Sequence, residues 1–339
     1  MNKKIRFKKA FLIRRAKKLH RNFLKRKYKK YNVKDFSYVT PQRQSHTEEE
    51  TINAPSQFNL KYENCVDVIK FINDVKKKGR SGKRLFFNLK DIEDIGEGAI
   101  SMLLSVLSEP SLRGVFIRGN KPQNTDVNNT LERSGFFKYF RTILSEENQN
   151  SKNTILRTGT DRSDHSEIVK AVRKSCETVW GVEARFPMLY GGIVEMVRNS
   201  CDHAFQGHDM ISWHLGLAHF EDSNSVKFSF VDNGKGIISS FKKGSLSAIF
   251  KMFESHSSII KTAFEDGIES KTGLKWRGKG LPTIFEMYTS NIIKNLIVIT
   301  NDVYIDFDQK IYVDLPARYK GTYYFWVVNK DCNKNIFIN

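Results

Sequence analysis

Four cysteines in 339 residues, Cys65, Cys176, Cys201 and Cys332, are too scattered for a disulfide framework, and no C-x-x-C pair offers a metal knuckle. They read as reduced, buried thiols, which sets a cytoplasmic location as the expectation. No apolar run approaches the roughly 20 residues of a membrane span, so no transmembrane segment is expected, and the N-terminus lacks the apolar core of a secretory signal. Acidic residues are missing from positions 1–34, where the first carboxylate has yet to appear and 16 of the 56 Lys/Arg are found. The remaining 305 residues therefore carry 40 basic side chains against all 37 acids and are nearly neutral. The net charge of +19 belongs to a tail, and a uniformly basic nucleic-acid-binding body is excluded.

What is present suffices for two ordinary domains: 40% hydrophobic residues, 12% of the chain aromatic. In the tail, Leu12, Ala16, Leu19 and Phe23 recur at i, i+4, i+7 and i+11, which places them on one face of a basic helix. Such a helix can grip nucleic acid or another polyanion, dock on a protein partner or its own body, or lie on an anionic membrane surface. Residues 35–56, rich in Ser, Thr, Gln and Pro with three consecutive Glu, read as a linker.

From 57 to 150 short strands and helices alternate. Cys65–Lys76 is a helix candidate, Arg84–Leu89 a strand, Gly98–Leu107 an apolar helix, Gly114–Arg118 a strand and Asn124–Arg133 a helix. This pattern implies a small open α/β sheet. With Gly96-Glu97-Gly98 before the apolar helix and Ser134-Gly135-Phe136-Phe137 at its end, the segment resembles the STAS domain of anti-sigma-factor antagonists. Gly96-Glu97-Gly98 stands where that family carries its phosphorylatable serine, so the resemblance implies a docking or transducing module.

The third region, 155–330, carries the chemistry. Glu195, Asn199 and Asp202 are spaced i, i+4 and i+7 and point within roughly 40° of one another on a helix expected over Met188–Phe205. Three aligned polar groups among Ile193, Val194, Met196 and Val197 call for polar partners such as a metal, water or phosphate. Phe228-Ser-Phe-Val231 reads as a strand delivering Asp232 to its end, followed by Asn233-Gly234-Lys235-Gly236, a turn that a ligand can approach closely. Gly278-Lys279-Gly280 precedes an apolar helix, where backbone N–H groups can cradle phosphate. No Walker A loop is present. His203, His208, His214 and His219 cluster in sequence but fall on different elements and faces, which argues against zinc.

In this order the three segments resemble the GHKL (Bergerat-fold) ATPases: gyrase B subunits, heat-shock chaperones, sensor histidine kinases and mismatch-repair ATPases. The resemblance implies an α/β sandwich, a mixed sheet with helices on one face, that binds ATP with Mg2+. By that resemblance Glu195 is the general base, Asn199 the Mg2+ ligand and Asp202 a support to the metal's water shell. Asp232 accepts the adenine amino group, Gly234 and Gly236 shape the pocket, and Gly278, Lys279 and Gly280 line the phosphates. Thr322, in Gly321-Thr322 before the last apolar strand, matches the family's threonine beside adenine. Pro282 departs from the pattern, since many relatives have a further glycine there. The 40-residue stretch Ile237–Trp276 corresponds to the ATP lid. The expectation is a slow ATPase whose lid closure switches engagement of a protein partner or nucleic acid in a bacterial regulatory or defence role. A serine/threonine kinase resembling anti-sigma-factor kinases and a non-hydrolysing ATP-sensing adaptor are the alternatives, and a homodimer stays open.

Overall fold

The computed structural model describes residues 48–112, 114–140, 154–158, 165–202, 213–240, 255–266 and 280–334. The basic tail, and with it the amphipathic-helix expectation, lies outside these residues. So does the part of the expected linker before residue 48.

The rest of that linker is not a linker. Glu49–Asn53 is strand β1, with Ile52 buried beneath it. It pairs in parallel with β3 (Arg84–Asn88), which pairs in parallel with β5 (Ile117–Gly119), giving the order β1-β3-β5. The Glu run that looked like solvated linker is an edge matched in charge from afar: Glu49 meets Arg118 at 2.7 Å, and Glu50 pairs with Lys83. Parallel neighbours need crossovers, and helices α1 (Cys65–Arg80) and α2 (Glu97–Leu107) supply them. A short parallel pair, β2 (Gln57–Phe58) with β4 (Asp94–Ile95), precedes α2, and α3 (Thr125–Arg133) follows β5, its N-terminus capped by the Asn124 side chain.

The second sheet holds β6 (Thr154–Thr158), β7 (Trp213–Phe220), β8 (Ser225–Asp232), β9 (Lys294–Asp306) and β10 (Ile311–Asn329), in the order β6-β7-β8-β10-β9. Every pair is antiparallel, which corrects the expected mixed sheet. The reason is local. Four-residue turns join β7 to β8 and β9 to β10, with Asn224 and Lys310 at positive φ, and hairpins enforce antiparallel pairing. The two strands expected over Lys310–Val313 and Gly321–Asn329 are one strand, β10. It carries register shifts around Pro316, which cannot donate to the ladder.

Helices cover both faces of this sheet, not one. Against one face pack α4 (His165–Trp180), α5 (Pro187–Asp202), α7 (His256–Glu265) and α8 (Gly280–Thr289), burying Val172, Ile193, Met196, Phe264 and Ile284 with Phe228, Phe230 and Trp326 of the strands. A single-turn helix, α6 (Ile237–Ser240), follows β8. The other face presents Val231, Ile299, Tyr319 and Tyr323, and these join the core formed by α1, α2 and the three-stranded sheet. A Cβ at Gly98 would overlap the Tyr323 hydroxyl, so the second glycine of Gly96-Glu97-Gly98 is a packing requirement. Glu97 between them is half-buried and faces Lys227 of β8 at 3.6 Å. The mixed α/β class thus holds, with parallel and antiparallel sheets in one packed arrangement.

The described parts of the stretch Ile237–Trp276 are helical. Within it α7 buries Ile259, Ile260, Ala263 and Phe264 in the main core, and Ser255 forms a capping box with Ser258. Asp314 of β10 also accepts hydrogen bonds from the His256 and Ser257 amides at 3.1 and 2.7 Å. The i, i+1, i+4, i+5 apolar stripe with its cap makes a core helix. Residues 241–254 and 267–279, to either side, lie outside the described residues.

Candidate functional site

Strand periodicity decides which residues of β8 and β10 share a surface. Along β8, Val226, Phe228 and Phe230 point to the α4–α5 layer, so Asp232 does too. Along β10, Tyr324, Trp326 and Val328 point the same way, and so does Thr322. Asp232 and Thr322 are direct cross-strand partners. Ser200 of α5 completes the group, its hydroxyl shared between the Met196 carbonyl at 3.0 Å and Asp232 Oδ2 at 3.2 Å. Segments around Ser200, Asp232 and Thr322, far apart in sequence, thus meet at one carboxylate.

That carboxylate is buried, with 6% of its surface exposed. Burial pushes its pKa up to about 6 from an ordinary 3.8, outweighing hydrogen bonds from the Gly234 N–H, Ser200 and Thr322 that favour the ion. The Gly234 amide donates to Asp232 Oδ1 at 2.8 Å, closing the turn that follows the strand. Gly236 has φ +79°, the left-handed region, and a side chain there would meet the Asn301 amide. Gly321, at φ +146°, lets β10 cross so near the Asp232 carbonyl that a Cβ would overlap it.

On α5, Glu195 is fully buried, with Arg198 Nη1 at 3.3 Å from its Oε2. Asn199, one turn on, is half-buried and lies against the start of α8: a Cβ on Gly280 would come within 2.9 Å of Asn199 Oδ1. The helix carrying the first motif and the glycine of the third are therefore neighbours, and α5 and α8 pack along one another. Asp202 ends α5; its side chain, like Gly278 and Lys279, lies outside the described residues. Of the ten sequence-derived site residues, then, Asp232, Gly234 and Thr322 meet at one point, Asn199 and Gly280 at another, and Glu195 sits one turn from Asn199. Gly236 shapes the intervening turn.

Two residues that sequence reasoning passed over hold that turn in place. Thr300 Oγ1 accepts from the Ile237 amide at 2.9 Å and donates to the Gly321 carbonyl at 3.1 Å. Asn301, 1% exposed and at φ +55°, donates to the Lys235 carbonyl at 2.8 Å and to Ser239 Oγ at 3.0 Å. The signal was Thr-Asn-Asp interrupting an otherwise apolar strand, the mark of a bulge.

Among the described residues no cluster of His, Cys, Asp and Glu could by itself hold a metal ion. His214 and His219 of β7 turn to opposite faces, one bonded to Ser108 and the other to Thr178. A site that combines one protein oxygen with waters and phosphate oxygens suits Mg2+, which keeps several waters, and the Asn199 amide beside Gly280 is such an oxygen. A cavity lined by Glu97, Ile100, Ser101, Gly216 and Lys227 lies on the opposite face of the sheet and takes no part in this arrangement. No helix among the described residues is long and apolar enough to cross a membrane. Comparisons with family models, with curated proteins and with solved structures gave no match.

Proposed function

We propose that this chain binds Mg·ATP at the Asp232 site and hydrolyses it slowly, in the manner of the GHKL ATPases that its three motifs resemble. The observation that carries the reading is the convergence on Asp232. A desolvated carboxylate is flanked by two hydroxyls and a turn amide, and of these residues Asp232, Gly234 and Thr322 were selected by the resemblance independently of any structure. A buried acceptor of this kind discriminates a donor such as the adenine amino group, because the carboxylate gains a hydrogen bond that water no longer supplies.

In this reading Asn199 holds Mg2+, with Asp202 supporting its waters. The ion would neutralise phosphate charge. Gly280, with Gly278 and Lys279 before it, receives the phosphates at the N-terminus of α8, where amides and helix dipole favour anions. Glu195 takes a proton from the water that attacks the γ-phosphorus, and its contact with Arg198 orients the carboxylate. The lid expected over Ile237–Trp276 does not include α7, which is anchored in the core. The α1–α2 unit on the back of the sheet, STAS-like in the order of its elements, transmits the nucleotide state to a partner, and the basic tail supplies polyanion affinity.

Incubating the full chain with γ-labelled ATP separates the outcomes. Release of free phosphate that stops in Glu195→Ala supports the ATPase reading. Labelled protein would replace it with a kinase, and binding without turnover with an ATP-sensing adaptor. Absence of any nucleotide binding would overturn the assignment.

A further inference from the structure

The turn that follows Asp232 is gripped from behind by the N-terminal unit. Asn233 Nδ2 donates to the Ser105 carbonyl of α2 at 3.1 Å. Its Oδ1 receives the Ser105 hydroxyl at 3.4 Å, the Tyr319 hydroxyl at 3.3 Å and Lys76 Nζ of α1 at 3.5 Å. Tyr319 also reaches the Asp232 carbonyl at 3.2 Å. Lys76 in turn pairs with Glu109 at 3.0 Å and lies over the Tyr319 ring, and Glu109 holds Arg80 at 2.9 Å. Lys76, Glu109, Ser105 and Tyr319 are all buried.

An ion pair taken out of water is a poor way to glue a helix to a sheet, because apolar residues of the same volume do as well or better. The interface already has an apolar core that includes Val231, Ile299 and Tyr323. The buried pair sits where Lys76 touches Asn233, a polar residue of the turn. We propose that Lys76 and Glu109, acting through Asn233, are positioning residues for the Asp232–Gly236 turn, so that the disposition of α1 and α2 sets the affinity for ATP. The functional half of this proposal rests on the ATP-binding reading. By linkage the effect is reciprocal, and nucleotide binding shifts what the N-terminal unit presents to a partner.

The test uses the full chain in these variants and one combination of them: Asn233→Ala; the volume-keeping apolar pair Lys76→Met with Glu109→Met; and Ser101→Ala. The last is a control, because Ser101 joins the same helix to the same strand through Ser229 but away from the turn. Amide hydrogen exchange at 233–237 is measured without nucleotide, alongside Mg·ATP affinity and thermal midpoint. The first two variants are expected to speed exchange in the turn and to weaken Mg·ATP by about tenfold, within the usual span of couplings between sites. Ser101→Ala is expected to leave both unchanged. Combining Asn233→Ala with the apolar pair is expected to add little, since both break one chain of contacts. Variants that lower the thermal midpoint while leaving turn exchange and affinity as in the wild type would assign the network a merely structural role and overturn the proposal. Wild-type protein that binds no ATP would sink the functional reading, while the exchange measurement would still decide whether the N-terminal unit holds the turn.

Discussion

Replacing Asp232 by Asn should make the ligand-free protein more stable and its ATP binding worse. Asp232 is buried, and its pKa stands at about 6 against an ordinary 3.8. The folded state therefore binds the proton more tightly than the unfolded chain does. The stability this supplies is fully present below the unfolded value and is lost as pH rises through about 6. A shift of that size corresponds to about 3 kcal/mol lost by neutral pH. Roughly 2 kcal/mol of it disappears between pH 4.5 and 7.5. Asn cannot ionise, keeps an oxygen for the Gly234 amide and offers its NH2 to the Ser200 hydroxyl, so the variant escapes that loss. Urea unfolding of both proteins across this pH range should show a gap that widens with pH in favour of Asn, by about 1–2 kcal/mol once imperfect re-pairing is allowed for. Mg·ATP affinity should fall at least about tenfold, the loss of a charge-assisted acceptor. A variant less stable than wild type at pH 7.5, or a gap flat with pH, would refute the reasoning that this carboxylate is held desolvated for a ligand.

Gly280→Ala should weaken Mg·ATP by moving the Asn199 amide, with which the new Cβ would collide, while thermal unfolding changes little; unchanged affinity would separate Asn199 from the phosphate site. Phe264→Ala should cost about 3–5 kcal/mol in chemical denaturation, because α7 is a core helix; a loss below about 1 kcal/mol would restore that stretch to the lid. Glu195→Gln should preserve ATP binding and lower phosphate release by about 10²-fold or more; retained turnover would remove Glu195 as the base. Deleting residues 1–34 should abolish salt-sensitive retention on a polyanion column, and unchanged retention would place that affinity in the body of the chain.

Periodicity carried the sequence reading furthest. The spacing of Glu195, Asn199 and Asp202 on α5, and the delivery of Asp232 by an alternating strand, follow from 3.6- and 2-residue repeats that tertiary packing did not disturb. Thr322 was reached only through a family resemblance, yet the face it shares with Tyr324 and Trp326 follows from β10 alternation, and the register then sets it opposite Asp232. Strand β1 stayed hidden because its glutamates are matched by Lys83 and Arg118, which are distant in sequence. The two-sided burial of the second sheet was more legible than it looked: Tyr323-Tyr324-Phe325-Trp326-Val327-Val328 is a continuous apolar run, the mark of a strand covered on both faces. The clamp by Thr300 and Asn301 depends on a bulge with positive φ, which Thr-Asn-Asp in an apolar strand marks without showing which backbone groups it holds. Nor can sequence reveal the grip of Lys76 on Asn233, a contact across 157 positions.

The central claim, that the Asp232 turn is a nucleotide site, is tested most directly by titrating the full chain with Mg·ATP in a calorimeter at pH 7.5, wild type beside Asp232→Asn. Saturable one-site binding by the wild type, lost or weakened at least about tenfold in a variant that is equally or more stable, is the predicted result. No heat of binding from the folded wild type, or equal affinity in the two proteins, would contradict it.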